Sequence, residues 1–131
     1  MSLNPAALPA EAATFLGERH LATLTTMRRD GTSHVTPVGF TYDPASRLVR
    51  MISFASAQKV RNLQRGSTRR VAVCQVDGGR WLTFEGDALV TDDPVRVAEA
   101  VRRYTERYRP PGPRPDRVAI EVSVERILGR A

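Results

Sequence analysis

The sequence predicts a mainly β protein, a six-stranded antiparallel barrel with flanking helices. Three observations lead there. Six segments are rich in apolar, threonine and β-branched residues, several with clean two-residue alternation. Most are joined by short turns such as Asp30-Gly31 and Asp77-Gly78-Gly79. One long helical pattern stands just before the last strand. The chain has 131 residues, which suits a single domain spanning 1–131.

The elements follow in order. Residues 1–8 are expected to be disordered. Ala12, Phe15 and Leu16 fall at helical spacing within 9–19, which predicts a short helix. The period then changes. Residues 20–27 alternate and suit a strand, Asp30-Gly31 turns the chain, and 34–42 is the returning strand. A turn at 43–46 leads to a third strand over 47–53. A helix over 57–65 follows, with Ser56 as its N-cap and Val60 and Leu63 facing inward. Strands are predicted at 70–76 and 80–91, the second with Leu82, Phe84, Ala88 and Val90 on one face. Asp92-Asp93-Pro94 is a helix start, with proline at the first helical position. That helix runs to Tyr108 and carries Val97, Val101, Tyr104 and Tyr108 as its apolar stripe. The proline-rich stretch 109–115 forbids regular structure. Its PxxP-like spacing is read as a solvated or lid-forming loop. The last strand, 117–125, alternates through Val118, Ile120, Val122 and Val124.

Composition narrows the function. Formal net charge is +6, and 41% of residues are hydrophobic. No apolar run approaches the roughly 18 residues of a membrane span. The N-terminus lacks a charged start and apolar core, so a cytoplasmic location is expected. Cys74 is the single cysteine and reads as a buried thiol. The arginines are spread through the chain instead of forming a block, which argues against nucleic acid. His20 and His34 lie at opposite ends of a hairpin. No Ser-His-Asp arrangement, metal-ligand cluster or isolated carboxylate pair is evident. A cofactor therefore has to supply any reactivity.

Two stretches suit such a cofactor. Of 20 basic residues, Lys59 alone is lysine. It falls in the first turn of the helix after a strand, where unpaired N–H groups and the positive dipole end collect. An anion site for a phosphate and a solvated lysine on a turn are both open readings. In Val35–Phe40, alternation puts Pro37 and Gly39 on one face and Val38 and Phe40 in the core. The first face suits a planar ring; a protected sheet edge and a bulge are the alternative. Trp81 lies opposite Leu82 and Phe84, which fits a dimer contact, a stacking wall or packing under a loop.

These stretches together resemble the split β-barrel flavin/deazaflavin oxidoreductase family, relatives of pyridoxamine 5′-phosphate oxidase. The resemblance runs from Phe15 to Leu128. It is carried by the hairpin HLATLTTMRRDGTSHVTPVGFTYD, then SAQKVRNL, with FLGERHLATLTT, QVDGGRWLTFEG and RVAIEVSVERILG. It implies an FMN-binding-like split barrel, homodimeric, with two cofactor sites at the subunit interface. Thr36, Pro37, Val38, Gly39 and Phe40 would line the cofactor ring. Ser53, Phe54, Ala55, Gln58, Lys59 and Asn62 would hold the ribityl chain and phosphate. Gln75, Arg80 and Trp81 would approach from the partner chain. Many flavin-binding members carry arginine immediately before the motif lysine; Gln58 stands there in this chain. That points to coenzyme F420, with FMN as the alternative. The implied activity is hydride transfer from the reduced deazaflavin to a conjugated acceptor, biliverdin to bilirubin. No side chain stands out as proton donor. An FMN-dependent oxidoreductase and a non-catalytic F420 carrier are the rival expectations.

Overall fold

A computed structural model describes residues 2–131. Among these residues, eight strands form one antiparallel sheet, with three helices around it. Six strands are long: β2 (Ala22–Met27), β3 (Ser33–Val38), β5 (Leu48–Phe54), β6 (Arg70–Asp77), β7 (Arg80–Thr91) and β8 (Arg117–Arg130). Two are short: β1 (Ser2–Leu3), which pairs with Leu128 and Ile127 of β8, and β4 (Thr41–Asp43). The N-terminal segment thus contributes one short ladder, and the Tyr42 hydroxyl donates to the Pro5 carbonyl.

The strand order is β3-β2-β6-β7-β8-β5-β4. Its first and last members are consecutive in sequence. The single returning strand expected over 34–42 breaks at Gly39-Phe40; its first half pairs with β2 and its second with β5. This break curls the sheet into a barrel. The interior is filled by alternating side chains, among them Leu24, Phe40, Val49, Met51, Val73, Leu82, Phe84, Ile120 and Ile127, all essentially inaccessible. Phe40 and Phe84 meet edge to face at 5.4 Å between centroids.

β8 runs five residues beyond the expected Glu125. The alternation fails there because Glu85 pairs with Arg126 while Gly86 pairs with Val124, a bulge that leaves Glu125 unopposed. The phase then flips and Ile127 returns to the core. Gly86 is required at this point: a Cβ would lie 2.0 Å from the Ser123 carbonyl oxygen.

Helix α1 (Ala10–Gly17) buries Ala12 and Phe15. Helix α2 (Gln58–Arg65) buries Val60 and Leu63, as its spacing predicts. Ser56 is not its cap. The Ala57 N–H closes a turn onto the Phe54 carbonyl at 3.1 Å, so Ala57 takes the N-cap and Lys59 becomes the second helical residue. Helix α3 (Pro94–Arg107) begins as expected, with the Asp93 carboxylate accepting from the Arg96 N–H at 3.0 Å. The Arg96 guanidinium makes two bonds to the buried Glu121 carboxylate of β8. Of its expected stripe, Tyr108 is buried while Val97, Val101 and Tyr104 are half-buried.

Candidate functional site

The β5–α2 turn gathers most of the residues expected to hold a phosphate. Ser53 ends the inward-facing series of β5, and its hydroxyl is buried without a hydrogen-bond partner. The Ala55 N–H donates to the Asp116 carbonyl at 3.0 Å, which ties the turn to the loop before β8. Lys59 is half-buried and lies 5.9 Å from the Phe54 ring centroid. The Arg114 guanidinium sits 3.9 Å from the same centroid. No carboxylate among the described residues pairs with Lys59. Burial pulls its ammonium below the ordinary lysine range. An unpaired, partly desolvated cation beside the free N–H groups of a helix start favours an anion.

The other side of α2 carries a polar chain. Gln58 donates to the Asn62 side-chain carbonyl at 2.7 Å, and Asn62 donates to the Thr26 hydroxyl at 2.9 Å. Thr26 lies across the ladder from His34, whose Nδ1 is buried without a partner. Beside this chain is a cavity of about 370 Å³ between α2 and the β2–β3 turn. Arg28, Arg29, Arg61 and Arg65 line it, none in an ion pair among the described residues. Its one carboxylate, Asp30, is held by the Thr32 hydroxyl and N–H, which keep it below the usual carboxylate range. The sequence reading missed these four arginines. The signal was present, since Arg28-Arg29 precedes a tight turn and Arg61 and Arg65 are four apart on one helix face.

The strand expected to line a ring is split in its surroundings. Pro37 is exposed on the outward face, opposite Thr23, and Thr36 is half-buried. Val38 and Phe40 sit in the core. β3 ends the strand order, so part of its backbone has no ladder partner. Gly39 does not share an open face with Pro37. It packs under α3, where a Cβ would stand 2.8 Å from Tyr104 Cε2. The Phe40 N–H donates to the Tyr108 hydroxyl at 3.2 Å, and the Phe40 carbonyl accepts from Arg107 at 2.6 Å. Only the Thr36–Pro37 half of the segment remains open.

The three residues expected to reach across an interface also differ. Gln75 is fully buried; it donates to the Phe15 carbonyl and accepts from Arg107, so its amide is spent within its own chain. Arg80 makes a two-pronged pair with Glu18 at 3.0 and 2.9 Å and a further bond to Asp77 at 2.8 Å. Arg80 and His20 together hold the Glu18 carboxyl down at about 2. Trp81 is half-buried opposite Val76, which is 61% exposed. With Val35, 58% exposed, these residues give the outward face an apolar character.

Comparison with known proteins places these features in context. The family model described as pyridoxamine 5′-phosphate oxidase matches residues 8–131. The F420H(2)-dependent biliverdin reductase of Mycobacterium tuberculosis (strain CDC 1551 / Oshkosh) is 48% identical over 124 residues, covering 95% of this chain and 89% of that protein. A solved structure described as an F420 reductase superposes with a TM-score of 0.73 at 26% identity, covering 92% of this chain and 98% of its own. A conserved hypothetical protein of Mycobacterium tuberculosis shares the fold, with a TM-score of 0.77 at 24% identity over 95% of this chain and 84% of its own.

Proposed function

The chain belongs to the pyridoxamine 5′-phosphate oxidase family, and from that premise we propose that it is a coenzyme F420-dependent reductase of biliverdin. Lys59 is the observation that carries the reading: a half-buried cation with no acidic partner among the described residues, at the first turn of α2. The similarity to a biliverdin reductase named for F420H(2) supports both the cofactor and the acceptor.

The residues fit a phosphorylated cofactor. Lys59 and the first N–H groups of α2 would take its phosphate. The unpartnered Ser53 hydroxyl and the Gln58–Asn62 pair would take hydroxyls of its chain. The four arginines of the neighbouring cavity match the negative charge of a glutamate tail. Gln58 adds no second charge beside Lys59, which favours F420 over FMN. When bound, the reduced deazaflavin would supply a hydride to the acceptor, and the added proton has no assigned donor among the side chains. The chain itself binds, orients and keeps the two planar systems in register. We infer a homodimer through the apolar outward face bearing Val35, Val76 and Trp81, and a cytoplasmic location. Among the described residues, no helix is long and apolar enough to cross a membrane.

Equilibrium titration with oxidised F420 and with FMN tests the cofactor. Tighter binding of F420 is expected. Tighter FMN binding, or FMN retained on purification, would move the protein to the flavin branch. F420 binding with no turnover of any acceptor would make it a carrier.

A further inference from the structure

A second cavity lies at the far end of β3 from the arginine-lined one. Its volume is about 400 Å³, within the usual range for small-molecule sites, and Arg19, Leu21, Tyr104, Tyr108 and Arg109 line it. The two tyrosine rings stand 4.9 Å apart at 35° and form an aromatic floor. They rest on Gly39, which has no side chain to lift them. Leu21, 63% exposed, makes an apolar rim immediately before β2. Ala22 pairs with Val38, so this rim adjoins the Pro37–Gly39 stretch.

Arg19 and Arg109 have no ion pair or side-chain hydrogen bond among the described residues, although most arginines on α3 and β7 are paired. Arg109 opens the loop 109–115, whose Pro110, Pro111, Pro113 and Pro115 restrict its backbone. That loop is anchored at its far end. Arg117 donates to the Gly112 carbonyl at 2.6 Å, and Arg114 covers Phe54. Arg109 is therefore presented from a stiffened strap that also reaches the Lys59 turn.

We propose that this cavity is the acceptor pocket. It takes a planar, conjugated dicarboxylate: the tyrosines and Leu21 cover the flat system, and Arg19 and Arg109 each meet one carboxylate. A linear tetrapyrrole with two propionates has that chemistry. This assignment rests on the reductase reading, since it places the acceptor beside the strand expected to hold the ring. Arginine suits the role because its planar fork pairs carboxylates in two-pronged fashion.

The test separates the pocket from the cofactor site. Biliverdin and its neutral dimethyl ester are titrated by absorbance into the wild-type protein and into the Arg19→Ala/Arg109→Ala double variant. Oxidised F420 is titrated into the same samples. Both arginines are exposed and unpartnered, so the fold is preserved. The double variant is expected to bind biliverdin roughly tenfold more weakly, about 1.4 kcal/mol, while ester and F420 affinities stay unchanged. Tyr104→Leu is expected to weaken acid and ester alike. Unchanged biliverdin affinity in the double variant, or an equal loss for the ester, overturns the pocket. Failure of the wild-type protein to bind F420 overturns the cofactor reading instead, and the bilin titration still decides the pocket.

Discussion

Among single residues, Lys59 bears most on cofactor affinity. A charge-assisted contact contributes about 1.5–3 kcal/mol, so Lys59→Ala is expected to weaken F420 binding by roughly 10- to 100-fold. Stability should change little, because the ammonium has no partner among the described residues. Lys59→Arg should recover part of the loss, since a fork differs from a compact ammonium. Calorimetric titration measures both. Unaltered affinity in Lys59→Ala would leave a solvated lysine. The same residue fixes a pH dependence. Burial lowers its pKa, so its positive charge is lost at a pH below that of a free lysine. Affinity for the cofactor should be flat through neutrality and fall on the alkaline side as Lys59 deprotonates. Lys59→Ala should abolish that alkaline limb. Glu18 acts in the opposite range. Its folded pKa, about 2, lies below the ordinary carboxylate value, mainly through Arg80 and then His20. The stability it contributes is present above the unfolded value and lost as pH falls toward about 2. Glu18→Gln should lower the melting temperature at neutral pH, and the difference from wild type should vanish in strong acid. A constant difference across pH would contradict the pairing.

At the scale of elements, the β3–β4 corner decides how much the sequence disclosed. Alternation located every long strand and the core positions Leu82, Phe84, Ile120 and Val122. It placed the start of α3 because Asp93-Pro94 is a local signal. It failed where tertiary contacts override local pattern. Pro37 and Gly39 alternate in sequence, yet the chain breaks after Val38, and Gly39 is claimed by Tyr104 and Tyr108 from a helix far along the chain. The resemblance implies that Gln75 reaches a cofactor from the partner chain, but its amide is held by the Phe15 carbonyl and by Arg107 of its own chain. The extra residue at Glu125 hid the final third of β8. Ser56 looked like a cap and lost that place to a backbone turn. The Lys59 segment was legible because strand, turn and helix are contiguous there. The tyrosine cavity was not, because the end of α3 and the segment before β2 meet only in the fold. The corner is testable. Gly39→Ala should cost about 1–3 kcal/mol by overpacking against Tyr104, read from denaturant unfolding. A neutral effect would mean that the tyrosine moves freely and that the corner is not held by it.

For the whole molecule, the proposed function has the outward face and the two cavities act together. The arginine-lined cavity, the Thr36–Pro37 strand and the tyrosine cavity lie in sequence along β3. That order suits a long cofactor with an anionic end and an acceptor at the other. The apolar face beside them, with Val35, Val76 and Trp81, suits a second copy of the chain. Sedimentation at micromolar concentration should give about twice 14.5 kDa. Val76→Arg should shift the protein toward monomer and weaken cofactor binding with it. A dimer that survives this change would place the interface elsewhere. The activity itself gives the most direct test. Reduced F420 and biliverdin are mixed anaerobically with the protein, and cofactor reoxidation is followed together with bilin conversion. The reading predicts one bilirubin formed per F420 reoxidised, with no reoxidation when the bilin is left out. Reduced F420 that stays reduced in the presence of biliverdin would contradict it.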